Sequence, residues 1–298
     1  MRTPVHTAKL AVELCGIALE TPLIPASGTL AKEAIGEVVG VYGAILPKTT
    51  TPRERAGKPP PRIAETPAGM VNSIGLQNPG VEKFLESLDA FDLGVPVIVS
   101  VAGDTVDEFA ALCERLAGDN RISAVELNLS CPNVEHGGLT FCAGPASVNE
   151  VIGASRAALP GKPLFAKLTN EGVVANAIAA EEAGADALTV INTIPALTID
   201  PEARSVLVRG GLSGPAIKPV ALRAVYDVSR AVGIPVIASG GVSTGTDVAE
   251  FMLAGATAVQ IGTASFVREP EEILREFSDY LERMGTTAAD LTGALQDI

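Results

Sequence analysis

The chain has 298 residues, 47% hydrophobic and only 19% charged, so it encodes a globular body with a large core. A formal charge of −13 repels nucleic-acid phosphate, and without Trp the chain has few platforms for stacking bases. Four cysteines (Cys15, Cys113, Cys131, Cys142) form no CxxC pair, and only His6 and His136 could join them, which argues against a zinc or iron–sulfur centre held by this chain alone. The cysteine usage suits a reducing cytoplasm. No apolar run approaches the ~20 residues needed to cross a bilayer, and the N-terminus, with Glu13, lacks the apolar stretch of a secretory signal.

In chain order, Ala8 to Leu19 alternates around Cys15-Gly16 and predicts a short N-terminal β-hairpin. Eight apolar strand-like runs follow: Leu23–Ala26, Ala44–Pro47, Val95–Val101, Ala124–Leu127, Leu164–Leu168, Ala187–Ile191, Pro235–Ala238 and Ala258–Ile261. The segments that follow them carry helical patterns: Lys32–Val39, Val81–Phe91, Thr105–Leu116, Ser147–Leu159, Val173–Ala183, Lys218–Val232, Thr246–Ala254 and Pro270–Met284. Asp104 and Thr244 stand where N-caps belong, and Gly184 and Gly255 where helices should end. The alternation predicts an α/β fold, a (β/α)8 TIM barrel forming a single domain over 1–298, with an open doubly wound sheet as the alternative.

The residues at the strand ends are more informative. They are Ser27-Gly28, Lys48-Thr49, Ser100, Asn128 with Cys131, Lys167, Asn192-Thr193, Gly240-Gly241 and Gly262-Thr263. In a barrel these share the C-terminal face, where active sites sit. Turn chemistry accounts for some of the small polar residues. Two lysines ending apolar strands need another reason, because a buried ammonium requires a polar or anionic partner. The glycine turns at 240–241 and 262–263 each precede a helix, where bare backbone and the helix N-terminus suit a phosphate-bearing cofactor. No GxGxxG follows the first strand, so a nicotinamide Rossmann site is not indicated. A thiol beside amides at 128–133 is a candidate nucleophile or proton acceptor, or else a small packing residue. Gly137-Gly138 suit the hinges of a lid over it. The long loop after the second strand offers Asn72 and Asn78 as partners for an amide-rich ring, with Gly75 allowing close backbone approach; Asn-Pro-Gly at 78–80 also reads as a plain turn.

Three motifs carry a resemblance: Asn-Leu-Ser-Cys-Pro-Asn at 128–133, Asn-Ser-Ile-Gly-Leu-Gln-Asn-Pro-Gly at 72–80, and Gly-Gly-Leu-Ser-Gly-Pro-Ala-Ile-Lys-Pro at 210–219. With Pro-Ala-Ser-Gly at 25–28 and the late glycine turns, nearly the whole chain resembles the class 1 dihydroorotate dehydrogenases, most of all the NAD-linked class 1B catalytic subunit. The resemblance implies an FMN-dependent (β/α)8 barrel oxidising (S)-dihydroorotate to orotate in de novo pyrimidine (UMP) biosynthesis. It makes Cys131 the base that takes a proton from carbon 5, while hydride leaves carbon 6 for the flavin, with Lys48 and Lys167 as the other catalytic residues. Lys48, Asn72, Ser73, Ile74, Gly75, Leu76, Asn128, Asn192 and Thr193 would hold the substrate. Ser27, Lys48, Thr49, Ser100, Asn128, Lys167, Ile191, Gly214, Gly240, Gly241, Gly262 and Thr263 would hold FMN.

It further implies a cytoplasmic protein with a homodimeric core, and an electron-transfer partner subunit carrying FAD and an iron–sulfur cluster. Three positions depart from the family pattern. Ser100 stands where Asn is usual, Leu-Thr-Asn follows Lys167 without a Pro, and Glu135-His136 occupy a loop position where a basic residue is commoner. Alternative readings are a dihydropyrimidine dehydrogenase-like flavoenzyme, a fumarate-linked class 1A enzyme, and a non-catalytic barrel subunit.

Overall fold

Short runs of Val, Ile, Leu and Ala cannot leave either face in water, so they line up as parallel strands covered on both sides. A computed structural model describes residues 7–30, 36, 38–91, 93–130, 132–133 and 139–296. Cys131, Glu135, His136 and Gly137-Gly138 lie outside the described residues, as does much of the helix expected at Lys32–Val39.

The chain opens with α1 (Thr7–Leu10) and the antiparallel pair β1 (Val12–Leu14) and β2 (Ile17–Leu19), joined through Cys15 and Gly16, both at positive φ. There follow β3 (Leu23–Pro25), β4 (Ile63–Thr66), β5 (Gly69–Asn72), α2 (Val81–Glu86), β6 (Ile98–Val101), α3 (Val106–Ala117) and β7 (Ala124–Asn128). Next come the two-residue strands β8 (Pro132–Asn133) and β9 (Leu139–Thr140), then α4 (Pro145–Ala158), β10 (Leu164–Leu168), α5 (Val173–Glu182) and β11 (Ala187–Val190). The last elements are β12 (Ile194–Asp200), β13 (Ser205–Ser213), α6 (Lys218–Ser229), β14 (Val236–Ser239), α7 (Gly245–Leu253), β15 (Ala256–Ile261), α8 (Pro270–Met284) and α9 (Ala288–Leu291).

The main sheet is parallel and seven-stranded, in the order β3-β15-β14-β11-β10-β7-β6. The run expected as a second strand, Ala44–Pro47, forms isolated bridges rather than a regular strand. It bonds both edges of the sheet: Gly43 N–H donates to the Leu23 carbonyl and Ile45 N–H to the Pro96 carbonyl, each at 2.9 Å. Register then decides which side chains face one another. Ser100, Glu126 and Phe165 share one level, and Asn128, Lys167 and Thr189 share the next toward the strand C-termini. The alternate residues Leu127, Ala166, Leu168, Leu188 and Val190 are buried in the outer core that the helices cover.

The helices follow from apolar stripes and caps. In α8, Ile273, Leu274, Phe277 and Leu281 form the buried stripe, with Glu271 and Glu272 in the first turn and Arg283 in the last, as the helix dipole favours. Thr244 caps α7 in a reciprocal box with Asp247. The cap expected at Asp104 belongs instead to Thr105, whose hydroxyl accepts from Glu108 N–H at 3.1 Å. Asp104 is unavailable because its carboxylate pairs with Arg55 at 2.6 Å.

A second sheet, antiparallel in the order β12-β13-β5-β4, rises beside the C-terminal strand ends. The long loop after the second strand is therefore partly a hairpin, β4–β5. Asn78, expected to face a ligand, instead pins this region to the strand-two end. Its Nδ2 donates to Thr51 Oγ1 (2.8 Å) and the Leu76 carbonyl (2.7 Å), while Oδ1 accepts from Gly80 N–H (2.8 Å) and Thr51 N–H (3.2 Å). Truncation would leave several of these buried groups unpaired, at about 1–3 kcal/mol for the worst of them. Asn78→Ala is expected to lower the unfolding free energy by roughly 2–4 kcal/mol in urea titrations, and a change below about 0.5 kcal/mol would show that the residue is not a structural tie.

Candidate active site

A cavity of about 770 Å³ opens at the C-terminal ends of the parallel strands, walled on one side by the β4–β5 hairpin and β13. This volume lies in the ~300–1,000 Å³ range of ligand sites. Every described residue assigned above to substrate or cofactor lines it, apart from Ser100 and Asn78. Each parallel strand except β6, or its following turn, contributes polar or glycine residues, so residues far apart in sequence converge.

Lys48 enters beside Gly28. A Cβ on Gly28, whose φ is +84°, would lie 2.8 Å from Lys48 Cδ, so glycine is what lets the lysine stem run past. Ser27 and Thr49 form a hydroxyl pair at 2.7 Å, and Thr49 N–H donates to Ser27 Oγ at 2.9 Å. Ser100 bonds Thr49 Oγ1 at 3.0 Å and is buried. It sits in register with Glu126, a level below Asn128, and so lies behind the cavity wall.

Asn128, Ser130 and Asn192 form a closed set. Ser130 Oγ donates to Asn128 Oδ1 at 2.7 Å, and Asn192 Nδ2 reaches both Asn128 Oδ1 (3.0 Å) and Ser130 Oγ (2.8 Å). Asn192 Oδ1 accepts from Thr193 N–H at 2.8 Å. These bonds fix the Asn128 amide with its oxygen engaged, and the nitrogen is the end this set leaves unused. Opposite, Asn72, Ser73, Ile74, Gly75 and Leu76 line the cavity from the pinned loop, and Lys58 Nζ donates to Ser73 Oγ at 2.8 Å.

Lys167 is buried and donates to Gln260 Oε1 at 2.9 Å. Burial pushes its pKa below the ordinary lysine value, and the charge of Glu126 opposes that shift. At the far end, Gly214, Gly240, Gly241, Gly262 and Thr263 supply backbone, and Thr263 Oγ1 donates to Ser213 Oγ at 2.8 Å. A Cβ on Gly241 (φ +85°) would lie 2.5 Å from Lys218 N, so this turn packs directly on the start of α6.

The first amides of α7, which follow the glycine turn at 240–241, are engaged by carboxylates. Asp247 Oδ2 accepts from Ser243 and Thr244 N–H at 2.8 Å each, and Glu276 Oε2 accepts from Gly245 N–H at 2.9 Å. The backbone of the glycine turns at 240–241 and 262–263 lines the cavity. Sequence reasoning missed Arg55, Lys58, Ser130, Ser239 and Phe266 among the lining residues, and Glu126 and Gln260 beneath them. For the last two, a polar residue interrupting a wholly apolar strand was the available signal.

The dihydroorotate dehydrogenase family model matches residues 9–283. The chain belongs to this family. It is 46% identical to the dihydroorotate dehydrogenase B (NAD(+)) catalytic subunit of Geobacter metallireducens, over 96% of this chain and 98% of that protein. It is 47% identical to the protein of the same name from Desulforudis audaxviator, over 93% of this chain and 94% of the relative. Among solved structures it resembles DHODH from Eimeria tenella in complex with ferulenol, with TM-score 0.81 and 26% identity over 99% of this chain and 91% of the other. Membership of this family makes the chain an oxidoreductase.

The described cysteines are outside it. Burial pushes the Cys15 and Cys113 thiols up to about 12 and Cys142 up to about 11. With pKa values that high, all three remain neutral thiols at pH 8. Brief iodoacetamide treatment of the folded protein at that pH, followed by peptide mass spectrometry, should find them unmodified; rapid alkylation of any one would contradict its raised pKa.

Proposed function

We propose that the chain is the catalytic subunit of an NAD-linked dihydroorotate dehydrogenase, oxidising dihydroorotate to orotate for pyrimidine synthesis. We further propose that it is a single-domain closed (β/α)8 barrel preceded by a short hairpin. The bonds from Gly43 and Ile45 to both sheet edges support closure. The observation that carries the function is the convergence of Lys48, Lys167, Asn128, Asn192, Thr193 and the 72–76 loop on one cavity.

The cavity fits flavin mononucleotide. The glycine turns at 240–241 and 262–263 line its far end with bare backbone, lysines are present for an anionic ring and a carboxylate, and Ser27 and Thr49 offer a hydroxyl edge. Ser27, Thr49, Lys167, Ile191, Gly214, Gly240, Gly241, Gly262 and Thr263 would hold it, and Ser100 would support Thr49 from behind. When bound, FMN supplies the two-electron acceptor.

The protein's own residues do the rest. Lys48 places a positive charge for the substrate carboxylate, and Asn72, Asn128, Asn192 and Thr193 orient the ring through amide and hydroxyl groups. Ser73, Ile74, Gly75 and Leu76 close over it and exclude water. Cys131 is the base for the carbon 5 proton, a role supported by its position next to Ser130, whose hydroxyl belongs to the Asn128–Asn192 set. Lys167 puts positive charge where negative charge develops. The relatives are named as catalytic subunits, which supports a partner subunit carrying FAD and an iron–sulfur cluster, around a homodimeric core in the cytoplasm. Among the described residues no helix is long and apolar enough to cross a membrane.

The purified chain should be yellow and should bleach anaerobically with dihydroorotate but not with dihydrouracil; a colourless protein would rule out the flavin, and preference for dihydrouracil would point to a dihydropyrimidine dehydrogenase-like enzyme. Cys131→Ala should keep the colour and lose substrate-dependent bleaching near neutral pH, whereas full bleaching would remove Cys131 from the mechanism. Lys48→Met should lower kcat/KM for dihydroorotate roughly 10- to 150-fold, the equivalent of ~1.5–3 kcal/mol for one charged hydrogen bond, and an unchanged value would take the carboxylate away from Lys48.

A further inference from the structure

Beneath the cavity floor lies a polar layer that the proposed reaction does not use. Glu126 of β7 is fully buried, as are Thr189 of β11 and Gln260 of β15. Gln260 Nε2 donates to Glu126 Oε2 at 2.8 Å, and Thr189 Oγ1 donates to the same oxygen at 2.7 Å. Gln260 Oε1 accepts from Lys167 Nζ at 2.9 Å. An ammonium can only donate, so the amide must turn its oxygen to Lys167 and its nitrogen to Glu126. The carboxylate thereby fixes the amide, and the amide fixes the lysine.

We infer that Glu126 is a positioning residue: through Gln260 it sets where Lys167 holds its ammonium group, and it supplies that group's counter-charge. Isolated, a buried ammonium gives up its proton, because desolvation disfavours the charged form. Glu126 is the charged group that opposes desolvation at Lys167. It is the titratable group facing Lys167 from β7, whereas β11 and β15 present the neutral Thr189 and Gln260. The remaining cations of the cavity wall, Lys48, Arg55 and Lys58, add only like charge. Removing the Glu126 charge therefore lowers the pH at which Lys167 deprotonates. The consequence for electron acceptance rests on the flavin reading above; the placement of Lys167 does not.

Only one oxygen of Glu126 is engaged, and Oε1 has no hydrogen-bond partner among the described residues. Glu126→Gln can therefore keep both accepted bonds on its amide oxygen while removing the charge, with an amide nitrogen in place of the unpartnered Oε1. The experiment compares wild type, Glu126→Gln and Gln260→Leu as purified holoproteins. The Lys167 side-chain signal, identified by its loss in Lys167→Met, is titrated by NMR with labelled lysine. In parallel, the reduction equilibrium of the bound flavin is measured at pH 7.

Glu126→Gln should retain its yellow colour and weaken Lys167 proton affinity at least tenfold. It should also make flavin reduction about tenfold less favourable, a shift of ~30 mV for two electrons. Gln260→Leu, which severs the relay but keeps both charges, should weaken proton affinity to a smaller extent and serves alone if Glu126→Gln does not fold. An unmoved Lys167 titration in the folded variants overturns the inference. A colourless wild type would refute the flavin reading instead, with the lysine titration still deciding the role of Glu126.

Discussion

A lysine ammonium and a glutamate carboxylate buried in the same protein interior, joined by one glutamine amide, are the constraint on which the rest of this molecule turns. Taking either charge out of water alone would destabilise the fold by several kcal/mol. Held together through Gln260 and Thr189, they form a neutral unit bonded across β7, β10, β11 and β15. That unit ties the levels of the sheet together just where its apolar packing gives way to the cavity. It also explains why Lys167 sits at a fixed height: the amide receives it at one point, and its strand neighbours in register are Asn128 and Thr189.

The walls are held by different means. Asn78 anchors the loop that carries Asn72 to Leu76, so this side of the cavity depends on hydrogen bonds rather than on packing. The β12–β13 hairpin reaches the same wall by close backbone approach: a Cβ at Gly210 would lie 1.9 Å from the Asn72 carbonyl oxygen. Asn128, Ser130 and Asn192 lock one another, so each of these three is oriented by a group that does not depend on a ligand.

Much of this was legible in the residues. The stripe Ile273, Leu274, Phe277, Leu281 marks α8 unambiguously, and its bounds agree with the sequence reading, because an apolar repeat near 3.6 has no other regular solution. The polar strand ends gathered as register and the parallel sheet require. What was missed depends on distant partners. β12 and β13 were not among the expected strands, and their mutual pairing is what makes them strands. Asp104 looked like a cap until Arg55, 49 residues earlier, claimed it. Ala44–Pro47 was read as a strand but bonds in single bridges, since Pro47 has no N–H to extend a ladder. Asn78 faced the strand-two end rather than the cavity, a choice that local spacing cannot reveal.

The capping of α7 has a consequence for how the glycine end of the cavity works. Its first amides are satisfied by Asp247 and, from α8, by Glu276. This turn therefore keeps its shape whether or not an anion arrives. Backbone held in place beforehand loses little conformational freedom on association, so a group bound at that end would meet little ordering penalty. The same preorganisation makes the turn unforgiving: a bulkier residue at 241 has no loose segment to push aside, only the first residue of α6.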